Sequence, residues 1–159
     1  MLGTELVPIP EQECVNVCKC GTDQIAQNWE VFRPIIEGAS DYYEDFYGVG
    51  DLLRMLMNGA LDMWTFSDED RGVFAVLLTE ILRYPLGPVL RFSLLAGEDH
   101  ESVVKYMGIV EQWAAASGAA KLQVPGRPAW THLLKNRGYV QSCVVLEKSL
   151  VKPPEEMEQ

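Results

Sequence analysis

Histidine is the side chain that titrates near neutral pH, and this 159-residue chain has two, His100 and His132. His132 is a candidate general base, although on an amphipathic helix such a residue is more often a plain surface histidine. His100 stands in Glu98-Asp99-His100-Glu101. There it reads as a solvated loop residue, or in the sharper reading as a pH-sensitive cap. Cys14, Cys18 and Cys20 group three thiols. Structural zinc sites repeat a closely spaced cysteine pair to reach four ligands. No second pair is present, so the expectation is free thiols and no metal. Cys143 reads as a small core residue inside an alternating strand. Asp41-Tyr42-Tyr43-Glu44-Asp45-Phe46-Tyr47 mixes aromatic rings with acids. It packs as an amphipathic turn, or else Tyr42, Tyr43, Phe46 and Tyr47 form a partner-binding rim for cationic or planar groups. Neither a P-loop nor a Ser/His/Asp pattern occurs.

Charge excludes one class of partner. The chain carries 13 basic and 23 acidic residues, a net of −10. Phosphate backbones repel such a surface, so nucleic acid is not an expected ligand. Residues 1–60 hold 10 acids and 3 bases, so the negative charge is concentrated in the first third. That end faces a basic partner or simply keeps the protein in solution. With 48% apolar and 23% charged residues, the composition is that of a globular protein. No apolar run approaches the ~20 residues of a membrane span. The opening residues, with acids and prolines, do not read as a secretory signal.

The elements follow from periodicity. Residues 1–23 read as a lead-in, irregular around Pro8 and Pro10, with a short strand at Cys14, Val15 and Val17. Gly21-Thr22-Asp23 then caps a helix with Ile25, Trp29, Phe32, Ile35 and Ile36 at helical spacing, and Pro34 should kink it. A second short helix follows Asp51, with Leu52, Leu53, Leu56 and Met57 on its inner side. The period then changes to two. Strands are predicted at 61–66, 73–82 and 89–95, separated by polar and proline-glycine turns, which makes an antiparallel meander. Residues 101–117 form a helix that stops at Gly118, 121–124 a short strand, 128–136 a helix closed by Gly138, and 139–150 a last alternating strand. The predicted class is α+β, a mixed sheet of antiparallel meander followed by α-β-α-β, flanked by helices. One domain spans 24–150, and 151–159 is a flexible acidic tail.

This order resembles the GNAT (Gcn5-related N-acetyltransferase) superfamily, and in particular short GNAT-like proteins encoded by bacteriophages. The resemblance covers residues 24–150. It is carried by Met63-Trp64-Thr65, by the strand from Arg91 to Gly97 with Glu98-Asp99 after it, and by Glu111-Gln112-Trp113-Ala114. It is carried also by the helix before Gly138-Tyr139 and by Val145-Leu146-Glu147-Lys148. The resemblance implies a fourth and fifth strand that part, with the pantetheine arm of acetyl-CoA between them. It would lie along Leu94, Leu95, Ala96 and Gly97, with the pyrophosphate on the next helix N-terminus. It also implies an acid at Glu80 as base in some members.

Two positions depart from the family pattern. The family loop is glycine-rich, whereas Ala96-Gly97-Glu98-Asp99-His100-Glu101 has one glycine and three acids. Those carboxylates suit a helix N-terminus and oppose a diphosphate; Arg127 or Lys135 would have to offset them. The family's proton-donating tyrosine falls on Leu134, which cannot transfer a proton. The expectation is therefore a non-catalytic GNAT-fold protein of phage or prophage origin. It would be a virion component or interaction module with no cofactor, located in a bacterial host's cytoplasm or in the virion. Its partners would be proteins, among them phage particle proteins or a second copy of the chain. The alternative is an acetyl-CoA-dependent N-acyltransferase with a divergent pyrophosphate loop.

Overall fold

The computed structural model describes residues 14–126 and 128–151. β1 (Asn16–Cys20) leads into α1 (Thr22–Gln27), α2 (Trp29–Glu37), a single 3-10 turn at Ser40–Tyr42 and α3 (Val49–Met57). The meander is β2 (Asp62–Asp68), β3 (Gly72–Tyr84) and β4 (Gly87–Gly97). Then come α4 (His100–Tyr106), α5 (Gly108–Ala116), β5 (Lys121–Gln123) and α6 (Pro128–Leu134). The five strands lie in sequence order, antiparallel from β1 to β4, with β5 parallel to β4. This is the α+β class expected from the sequence.

β3 explains the layering. Its run Phe74-Ala75-Val76-Leu77-Leu78 is buried on both faces, and so reads as continuous rather than alternating apolar sequence. Ala75 and Leu77 join Phe66, Leu90 and Phe92 against Val103, Met107 and Val110 of the later helices. Val76 and Leu78 face the other way, onto Ile25, Phe32, Ile36, Leu52 and Leu56 of the first three helices. The sheet is thus the middle of three layers. The polar groups taken inside are paired: Trp64 Nε1 donates to Thr79 Oγ1 at 3.3 Å. Trp64 also meets Trp113 edge-on, with ring centroids 5.4 Å apart.

Several boundaries differ from the sequence reading. The first strand begins at Asn16, so Cys14 and Val15 precede it. The helix expected to kink at Pro34 breaks instead at Asn28 (φ −112°, ψ 17°), where the side-chain amide donates to Gln24 O at 2.9 Å. Asparagine competes with the backbone in this way, and Pro34 is accommodated inside α2. The helix expected over 101–117 is two helices. Met107 N–H reaches back only three residues to Val104 O, and Gly108, a poor helix former, follows. Residues 139–150 do not form the last strand. Alternation states only which side would be buried, and a strand needs a neighbouring edge to exist. The lead-in over 1–13 and the tail from 152 onward lie outside the described residues.

β4 ends against the backbone of β3. Gly97 has φ +114°, Glu98 N–H donates to Phe74 O at 2.9 Å, and a Cβ on Gly97 would collide with Phe74 O and lie 2.7 Å from Ala75 Cα. Gly50 in α3 has open space around it and an ordinary φ. Urea denaturation should therefore show Gly97→Ala losing more than ~1 kcal/mol, while Gly50→Ala is neutral or gains up to about that amount. Equal midpoints for the two variants would contradict the close approach.

Candidate functional site

The β4–β5 ladder is the feature that could admit a ligand. β4 pairs with β3 from Gly87 to Gly97, but with β5 only at Val89–Lys121, Leu90–Leu122 and Arg91–Gln123. Beyond Arg91 the outer edge of β4 has no strand beside it among the described residues. The register explains how β4 manages this. Leu78 pairs with Leu94 and Thr79 with Phe92, so Ser93 is an extra residue on β4. Such a bulge bends the strand and increases its twist. It also resets the alternation: Phe92 and Leu95 enter the core under α4–α6, while Leu94 and Ala96 enter the core under α1–α3. Ser93 stays exposed. Leu94, Leu95, Ala96 and Gly97 therefore offer the gap their backbone, since three of their side chains are committed to the two cores and the fourth is a hydrogen.

A polar row crosses the foot of the gap. Glu80 Oε1 lies 3.6 Å from Arg91 Nη1, and Arg91 Nη2 approaches Gln123 Oε1 at 3.4 Å. Glu80 thus stands one strand back from the open edge, ion-paired across β3 and β4. His132 is exposed on α6 and is not brought to this row. His100 stacks on Trp130, with centroids 6.2 Å apart and planes 7° from parallel. Leu134 is buried in the core. The tyrosine after Gly138 is used structurally: Tyr139 Oη donates to Glu111 Oε1 at 3.0 Å, and burial pushes its phenol pKa upward.

The loop after β4 is organised by Arg71, which sequence reasoning passed over. Its guanidinium pairs with Asp68 Oδ2 at 2.7 Å and with Asp99 Oδ2 at 3.0 Å, and lies 3.8 Å over the Phe74 ring. Of the acids of this loop, Asp99 is offset by Arg71 from the β2–β3 turn; Arg127, expected to take that part, lies outside the described residues. Asp99 adopts a left-handed conformation (φ 55°) and caps α4, accepting from Ser102 N–H at 3.2 Å and from Ser102 Oγ at 2.7 Å. Short aspartates tolerate that backbone better than most residues. An open depression of about 570 Å³ adjoins the loop, walled by Pro34, Ile35, Arg71, Phe74, Gly97 and Glu98. The only signal for Arg71 was its place in a hairpin turn. The signal for the bulge was the polar alternation at Arg91 and Ser93, broken by contiguous Leu94-Leu95-Ala96.

The aromatic stretch divides. Tyr43 is buried in the core with α1–α3 and belongs to packing, which corrects its place in an exposed rim. Tyr42, Phe46 and Tyr47 are exposed. Cys18 is exposed and Cys20 half-buried, its Sγ 3.8 Å from Thr65 Oγ1; burial raises its thiol pKa. Cys143 is exposed, not a core residue. No group of three or more His, Cys, Asp or Glu among the described residues converges as a metal site. No described helix is long and apolar enough to cross a membrane.

Sequence comparison finds no matching family model and no significant match among curated proteins. Structure comparison does find relatives in fold. An aminoglycoside acetyltransferase from an uncultured soil metagenomic sample, in complex with sisomicin, is 12% identical with a TM-score of 0.64, over 87% of this chain and 97% of that one. A probable acetyltransferase is 9% identical with a TM-score of 0.67, over 88% and 99%. A predicted acetyltransferase with acetyl-CoA from Clostridium acetobutylicum is 15% identical with a TM-score of 0.60, over 86% and 96%. The chain has the GNAT acetyltransferase fold. These likenesses overturn the expectation of a non-catalytic phage or virion protein: the three relatives in fold just described are each called an acetyltransferase, and none is called a phage protein.

Arg71 also sets a pH dependence. Its hydrogen bonds hold the Asp68 carboxyl below the usual carboxylate range, and Ser102 followed by Arg71 does the same for Asp99. A depressed folded pKa contributes stability above the unfolded value and loses it as pH falls through the folded one. Arg71→Met should therefore lower the melting temperature at neutral pH. The difference from wild type should shrink below about pH 4, where aspartate begins to protonate. A difference unchanged down to about pH 2 would contradict the coupling.

Proposed function

We propose that this chain is an acyl-CoA-dependent N-acyltransferase acting on an amine. The observation that carries the reading is the outer edge of β4 beyond Arg91, which no strand among the described residues covers, alongside a β5 that pairs for three rungs. An unpaired strand edge offers alternating N–H and C=O groups, which match the two amides of a pantetheine arm. A bound acyl-CoA would supply an activated thioester. This chain's part is to hold the arm extended along Phe92–Gly97 and to aim a backbone N–H at the carbonyl oxygen, where negative charge develops as the amine attacks. As the C–S bond breaks, the thiolate takes a proton and the amine nitrogen releases one. Glu80, one strand back from the foot of the gap and held by Arg91, is the carboxylate on the polar row there.

The donor set fits the arm better than the diphosphate. Arg71 already balances two carboxylates, and Asp99 occupies the first turn of α4 with its own side chain. Two fold relatives support the class: one is an aminoglycoside acetyltransferase, and the other is a predicted acetyltransferase with acetyl-CoA.

Acetyl-CoA at one hundred times its dissociation constant should stabilise the fold by about 2.7 kcal/mol, read as a rise in melting temperature. Incubation with a panel of primary amines should release free thiol in an amine-dependent way. Absence of a thermal shift at millimolar acetyl-CoA would remove the reading.

A further inference from the structure

β1 lies at the far side of the sheet from the β4–β5 gap, and among the described residues it pairs only with β2. Successive side chains of a strand point to opposite faces. Val15 and Val17 pack into the core under α4–α6, and Lys19 lies over the Trp113 ring with its Nζ 3.6 Å from Asp62 Oδ1. Cys18 and Cys20 share the other face, where Cys20 packs against the core under α1–α3. Both thiols are free, Cys18 exposed and Cys20 half-buried. Thr65 and Met63 of β2 stand directly opposite them. The Thr65 hydroxyl donates to Cys18 O at 3.5 Å and accepts from Cys20 Sγ at 3.8 Å. The Cys18 thiol is close enough to act on the Cys20 thiol electrostatically. Met63, fully buried, sets a thioether on the Cys20 side of the ladder.

We propose that Cys18 and Cys20 form a two-thiolate site for a soft monovalent cation, Cu(I). Residues two apart on a strand are about 6.6 Å apart at Cα, near the upper limit at which a disulfide closes. The rungs to Thr65 and Met63 hold β1 at that length. An ion between the sulfurs spans a wider gap, about 4.6 Å for two metal–sulfur bonds of ~2.3 Å in line. Zinc asks for four ligands, and no third His, Cys, Asp or Glu among the described residues joins the pair. Thiolate and thioether sulfur select Cu(I). Cys14 lies four residues before Cys18, roughly 13 Å along an extended chain, and takes no part. On binding, each S–H gives its proton to solvent, two Cu–S bonds form, and the copper stays in the +1 state. Cys18 is open to an incoming ion, while the core shelters Cys20. β1 and the gap lie at opposite sides of the sheet, so the inference does not depend on the proposed activity.

The full chain carrying Cys14→Ser and Cys143→Ser, kept anaerobic, is titrated with Cu(I) in competition with the coloured chelator bicinchoninate. One copper per chain should leave the chelator, with a sulfur-to-copper charge-transfer band in the ultraviolet. The melting temperature should rise, because an ion held only by the folded chain stabilises it. In that background Cys18→Ser and Cys20→Ser should each weaken binding more than about tenfold and abolish the thermal shift. Cys18 is exposed, so its variant should keep the parent's circular dichroism. Copper held equally well by the Cys18→Ser variant, one copper shared between two chains, or binding without a rise in melting temperature would each overturn the site.

Discussion

β4 has two hydrogen-bonding edges, and among the described residues only one of them is filled along its length. Backbone N–H and C=O groups shut away from water must find partners, so a half-filled strand in the middle of a sheet is tolerated only where solvent or another molecule reaches it. Much of the architecture can be read as the consequence. The extra residue at Ser93 bends the strand where β5 departs, and lets both cores receive side chains from β4 on either side of the bend. The long, doubly buried β3 supplies the rigid backing that a one-sided neighbour cannot. The two layers of helices then cover the faces and leave the edge alone.

Electrostatics at the head of the gap follow a different logic from the one a phosphate site suggests. The acids after Gly97 are not a free negative cluster: one caps α4, and a guanidinium from the neighbouring turn joins it to Asp68. Exposed ion pairs contribute little individually. Here one cation bridges two segments far apart in sequence and also lies flat on an aromatic ring, so its main effect is to hold the hairpin and the loop in one register.

The meander was legible because β2, β3 and β4 alternate or run apolar between strong turn residues, and those signals are local. The order of elements carried the fold from there. What was not legible depends on contacts across sequence. Asn28 and Pro34 both threaten a helix, and only the side-chain bond to Gln24 O decides that the asparagine breaks it. Arg71 looked like any turn arginine, because its partner Asp99 lies 28 positions away. Tyr43 and Phe46 have similar local surroundings, yet one is buried and the other is 66% exposed. The alternation of residues 139–150 was read correctly as a pattern and wrongly as a paired strand, since pattern does not provide an edge. For the gap itself, the family order suggested the parting of strands, but the rung at which it begins is a matter of register. The acidic loop and Leu134 argue against acyl transfer only when taken apart from Arg71, which balances Asp99, and from the backbone of β4 that β5 leaves unpaired.

Gly97 has an evolutionary corollary. It stands where a glycine-rich loop would let phosphate approach, yet the collision that forbids a side chain there is with Phe74 and Ala75 of the neighbouring strand. Purifying selection for a foldable chain is enough to keep it. A glycine at this position therefore reports how closely β4 lies on β3, and by itself carries no information about what the loop binds.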